Sequence, residues 1–180
     1  MTIGPDKIYN KLYKRYRLVW LFGSFVCILF SSTMSVAQSH PPRPISISVN
    51  PTEYMKFGAF FQGTVGGSVI LYADGSRSTT GDIIGASLGY SFSPAIFDVQ
   101  ADLGTRIVIM NGPDVVLTGS NGGSLTLHLG NSNVGSPFVS KVAPPGKTQV
   151  MIGGTLTVGT ALANPVGSYT GMFTVTFIQE

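Results

Sequence analysis

The chain has 180 residues, with 11 Lys and Arg, 8 Asp and Glu, and a formal net charge of +3. Only 11% of residues are charged while 43% are hydrophobic, which excludes a charge-extended disordered chain and points to a packed domain. The positive excess is confined to the N-terminus (Lys7, Lys11, Lys14, Arg15, Arg17), and beyond it seven acidic residues balance six basic ones, so no clustered basic face for nucleic acid is expected.

That basic start runs into the apolar stretch Leu18–Phe30 and then Ser35-Val36-Ala37. A charged region, a short apolar core and a small-x-small ending are the three parts of a secretory signal peptide, here 1–37. The apolar core is shorter than the roughly 20 residues that a spanning helix needs, so cleavage is expected to leave no membrane span. An uncleaved anchor is the alternative. Cys27, the single cysteine, lies inside this core, so the secreted form would have to fold without disulfides.

A Pro-rich leader, 38–44, precedes one domain at 45–180. Ile45-Ser46-Ile47-Ser48-Val49 alternates strictly and stops at Asn50-Pro51. Ile45, Ile47 and Val49 therefore share one face of a strand. That strand either completes its own domain or is donated to a neighbour. Tyr54–Phe61 and Ser68–Tyr72 read as two further strands, separated by Gly63–Gly67, and Asp74-Gly75-Ser76 reads as a hairpin turn. More candidates follow at Ala95–Ala101, Thr105–Met110, Asp114–Thr118, Ser124–Leu129, Phe138–Val142 and Gln149–Val158. Nothing beyond the leader keeps helical spacing for three turns. An all-β, two-sheet sandwich is the expected architecture, with a closed barrel as the alternative.

The last element, Ser168–Ile178, alternates Tyr169, Gly171, Phe173, Val175 and Phe177 against mostly Thr. Tyr169, Phe173, Val175 and Phe177 are expected on the core face of a C-terminal strand.

Catalytic patterns are thin. Gly85-Ala86-Ser87-Leu88-Gly89 has the spacing of a hydrolase nucleophile turn, with Asp98, Asp102 or Asp114 and then His128 following in order. The next residues, Tyr90-Ser91-Phe92-Ser93-Pro94, cannot open the helix that such a turn requires. No enzyme activity and no cofactor are therefore expected. His40 and His128 lack Cys or His partners in sequence, so no metal site is expected. Asp74–Asp82 lacks the spacing of a calcium loop, and Asp74 reads as a turn cap.

Five blocks in order resemble the secreted, pilin-like bacterial proteins grouped as domain of unknown function 4402. They are Ile45-Ser46-Ile47 with Phe57–Phe60, Asp74–Asp82, Pro94–Val99, Gly153–Gly159 and Gly167–Thr176. The resemblance implies an immunoglobulin-like sandwich akin to fimbrial and spore-coat-U-like subunits, without enzymatic activity. It implies an exported protein of a Gram-negative cell surface, reached through the periplasm. The expected partners are copies of itself, related subunits and a periplasmic chaperone. A surface adhesin or carbohydrate-binding module, with Tyr54, Tyr72 and Tyr90 as possible platforms, is the alternative. A small outer-membrane barrel is a further one, although most strands look shorter than the 9–11 residues that it needs.

Overall fold

A computed structural model describes residues 46–49 and 53–180. The signal-peptide and leader segments, 1–37 and 38–44, and Ile45 lie outside the described residues. Thirteen strands make up the described chain, and no helix occurs among the described residues. The first six are β1 (Ser46–Val49), β2 (Lys56–Phe57), β3 (Ala59–Leu71), β4 (Arg77–Ala86), β5 (Phe92–Ser93) and β6 (Ala95–Gln100). β7 (Arg106–Asn111), β8 (Val115–Gly119), β9 (Ser124–Ser132) and β10 (Phe138–Val139) follow. The chain closes with β11 (Thr148–Val158), β12 (Tyr169–Thr170) and β13 (Val175–Gln179).

The strands form an open antiparallel sandwich. One sheet runs β1-β6-β11-β9-β8-β12, with β3 and β4 joined to it through β11. The other runs β10-β7-β13, and β2 pairs with β5 in a short ladder. No sheet closes on itself, so the barrel alternative does not form.

β11 organises the large sheet because its alternation is unbroken. Val150, Ile152, Leu156 and Val158 are buried apolar side chains, with Gly154 at the same parity between them. Its first half pairs with β6, from Thr148↔Val99 to Ile152↔Ala95. Its second half pairs on β3, from Gly154↔Leu71 to Val158↔Gly67. β9 pairs with both halves across a register slip between Ile152 and Gly154. Two apolar clusters result. Val150 and Ile152 join Phe97, Val99, Ile107 and Phe138 between the sheets. Leu156 and Val158 join Val69, Ile83, Leu125, Leu127 and Leu129.

Three elements differ from what the sequence suggests. The two separate strands expected around Gly63–Gly67 are largely one long strand, β3, with a bulge where pairing to β4 slips between Gln62 and Gly67. β4 itself has no hydrophobic alternation. Only Ile83 and Ala86 are buried in it, and the positions opposite the buried Leu71 and Val69 are Arg77 and Thr79, so only one large buried apolar residue marks the strand. The expected single C-terminal strand is two: β12 pairs with β8, and β13 pairs with β7 in the other sheet. Gly171–Thr174 carry the chain from one layer to the other, and Gly112 N–H donates to Thr174 C=O (2.8 Å) to start the second ladder.

The β3–β4 hairpin is bent back on itself. Arg77 pairs with Leu71 near the turn, while Ala86 pairs with Ala59 at the open end. In a straight hairpin the nine steps between Arg77 and Ala86 would span about 30 Å, far beyond the reach of one side chain. Yet the Arg77 guanidinium donates to Phe57 C=O (2.7 Å) and Ala59 C=O (3.1 Å), and lies 4.5 Å over the Phe92 ring. The fold-over occurs at the bulge, where Gly66 and Gly81 take positive φ and the Asp82 carboxylate accepts from Thr64 N–H (2.8 Å).

Candidate functional site

The sequence singles out the two ends of the domain, and both are edge strands. Among the described residues β1 takes only β6 as a neighbour, with Ile47 opposite Val99 and Val49 opposite Phe97. These two partners are buried members of the inter-sheet cluster. Ile45 lies outside the described residues.

Tyr169, Phe173, Val175 and Phe177 are half-buried, while Thr170, Met172, Thr174, Thr176 and Ile178 are exposed. Tyr169 packs on the Leu125–Leu129 cluster and donates its hydroxyl to Pro165 C=O (2.6 Å). Phe173 and Val175 touch both clusters, and Phe177 belongs to the inter-sheet one. Its ring sits 5.4 Å from that of Phe97, tilted by 58°. Phe97 therefore links the two chain ends: its backbone pairs with Val49 and its ring packs on Phe177.

The hydrogen-bond parity of β13 adds a feature that no side-chain pattern announces. Gly112 N–H donates to Thr174 C=O, and Glu180 N–H donates to Arg106 C=O (3.0 Å). With Thr176 opposite Met110 and Ile178 opposite Val108, the even residues make the ladder with β7. The N–H and C=O groups of Val175, Phe177 and Gln179 consequently point away from β7, along an edge where β13 has no other strand neighbour among the described residues. Such an edge is a template for another strand. Side chains facing the core and backbone groups facing the open edge belong to the same residues, Val175 and Phe177.

The catalytic-looking residues are arranged otherwise. Asp114 and His128 do meet, with Oδ1 2.6 Å from Nδ1, but both are well exposed. Ser87 follows β4, leads into a bend and the short β5, and makes no hydrogen bond among the described residues. Gly85 of that pentapeptide is explained by packing. A Cβ there would stand 2.8 Å from Arg77 Nη2, so the glycine makes room for the guanidinium that holds the hairpin closed. Asp74 and Asp82 are likewise structural. The Asp74 carboxylate accepts from Ser76 Oγ (2.6 Å) and Ser76 N–H (2.8 Å), which holds its pKa below the ordinary carboxylate value. Among the described residues no group of three or more metal-ligating side chains converges.

A family model described as "Domain of unknown function (DUF4402)" matches residues 47–178. No curated protein and no solved structure matches the chain.

Proposed function

The chain belongs to the DUF4402 family, and from that premise we propose that it is an exported, non-enzymatic structural subunit of the bacterial cell surface, pilin-like, that joins copies by exchanging a β-strand. The exchanged strand is β1. One observation carries this reading: among the described residues β1 is a short edge strand paired with β6 alone, and Asn50-Pro51-Thr52 separates it in sequence from the rest of the domain. The ladder from Ser46↔Gln100 to Val49↔Phe97 can be made by the strand's own domain or by the next copy's strand, with the same register. That equivalence is the physical basis of domain swapping. Export through the periplasm rests on the basic, apolar and small-residue segments of 1–37.

Deleting residues 38–50 tests the proposal. The wild-type exported chain should form oligomers in size-exclusion chromatography, and the deleted chain should form none. A synthetic peptide covering residues 43–51 should restore the thermal stability of the deleted chain. Burying a Val- or Ile-sized side chain contributes roughly 1.5–3 kcal/mol, so a strand with three of them should move the unfolding midpoint clearly. An unchanged midpoint with an unchanged oligomeric state would refute strand exchange.

A further inference from the structure

The outer face of the large sheet carries a groove of about 330 Å³ that the strand-exchange reading does not use. It lies where β11 changes partners. β6 ends its pairing at Ile152↔Ala95 and β3 begins at Gly154↔Leu71, and between them Gly153 is buried against the Leu71–Ala73 backbone, where a Cβ would not fit. On the opposite side, the β9 register slips at the same place, between Ser132 and Leu129. A double irregularity of this kind leaves a dent in a sheet face that would otherwise be flat.

The chemistry of the walls is specific. Tyr72 forms one wall, exposed at 47%, with its hydroxyl 3.3 Å from Ser78 Oγ. Ile70 and Thr155 are cross-strand partners on the floor. His128 is the next cross-strand neighbour of Thr155 and lies outside the lining. Asn131 and Ser132 close the far side. The Asn131 amide and the Thr155 hydroxyl make no hydrogen bond among the described residues. Within the lining there is no Asp, Glu, Lys or Arg.

We propose that this groove binds a neutral carbohydrate, a mono- or disaccharide unit of a surface glycan. An exposed aromatic face suits the apolar C–H side of a sugar ring. An amide and hydroxyls that donate and accept suit its hydroxyl groups. Nucleotides and sugar phosphates would call for cations in the lining. An extended peptide would call for a free strand edge, and the groove lies within the sheet face. The volume falls at the lower end of small-ligand sites, about 300–1,000 Å³. None of its lining residues belongs to β1, β6 or β13, so the site functions whether or not strands are exchanged.

The test is an amide chemical-shift titration of the exported chain with maltose, cellobiose and diacetylchitobiose. Saturable shifts with at least one sugar, centred on Tyr72, Asn131 and Thr155, are expected. Tyr72→Ala should weaken that binding about tenfold, the scale of one lost aromatic contact. Asn131→Ala alters an exposed side chain and should also weaken binding, with an unchanged circular dichroism spectrum and melting temperature. The proposal is overturned if none of the three sugars gives saturable shifts. It is equally overturned if binding survives both substitutions, or if the shifts centre on residues outside the groove.

Discussion

The two halves of the β11 spine are closed by different physics. Around Val150 and Ile152 the large sheet is covered by a second sheet, and Phe97, Ile107, Phe138 and Phe177 interdigitate between the layers. Around Leu156 and Val158 the cover is a folded-over hairpin and a loop, held by polar anchors. Arg77 binds two backbone carbonyls, Asp82 binds the amide of Thr64, and the buried Asn164 side chain binds Gly159 N–H and Ser124 C=O. The first half should be more sensitive to changes in core volume than to changes in polar detail. The second has an apolar cluster of its own and adds to it single side chains whose hydrogen bonds brace the backbone. An apolar core spreads its stabilisation over many small contacts, whereas a polar buttress concentrates it.

The largest break in this comparison should come from the first half. Ile152 is fully buried at the centre of the inter-sheet cluster. Ile152→Ala should lower stability by roughly 2–5 kcal/mol, through lost transfer energy plus a residual cavity. Denaturant unfolding measures this directly. A loss below about 1 kcal/mol would mean that the two sheets are not packed as described.

Arg77 sharpens the contrast from the other half. Arg77→Met keeps the aliphatic stem and removes the donors, leaving the Phe57 and Ala59 carbonyls without that partner. Hydrogen bonds to charged groups contribute about 1.5–3 kcal/mol, so a loss in that range is expected. The damage should be local. Hydrogen exchange should rise in β2, β3, β4 and β5, while β7 and β13 stay protected. Uniform loss of protection would show that the two halves unfold as one.

The difference between the halves also explains what could be read from the sequence. β6, β7, β9 and β11 were legible because alternating Phe, Val, Ile and Leu at period two is the direct imprint of a covered sheet face. β4 was not, since Arg77 and Thr79 stand opposite the buried Leu71 and Val69 where the pattern demands apolar residues, and Ile83 and Ala86, its only buried residues, differ in parity. Gly85 even imitates a nucleophile turn, because a glycine that makes room for a guanidinium looks the same in sequence as one at a strained elbow. At the C-terminus the alternation of Tyr169, Phe173, Val175 and Phe177 is visible, yet the switch of partner from β8 to β7 is not. Side-chain parity is continuous through Gly171–Thr174, and parity alone carries no information about which strand lies alongside. The open edge of β13 is invisible for the same reason: it resides in backbone groups.

The smallest effect belongs to the turn that joins β3 to β4, and it is read by titration. Asp74 is solvent-exposed, and its carboxylate is stabilised in the charged form first by the Ser76 hydroxyl and then by the Ser76 amide. The folded-state pKa is depressed, so the capping contribution is fully present above the pKa of the unfolded chain. It fades as pH falls through the lower, folded value. Ser76→Ala removes the leading cause and leaves the amide bond in place. The Asp74 pKa, followed by carboxyl carbon shifts, should then rise toward the ordinary value without reaching it. Asp74→Asn should abolish this titration altogether, while the bend at Asp82 and the Arg77 contacts persist, because they lie at the other joints of the hairpin. If Ser76→Ala left the Asp74 pKa where it was, the hydroxyl would not be what holds the carboxylate charged. The turn would then rest on the Ser76 amide and on the bond between Gly75 N–H and Tyr72 C=O.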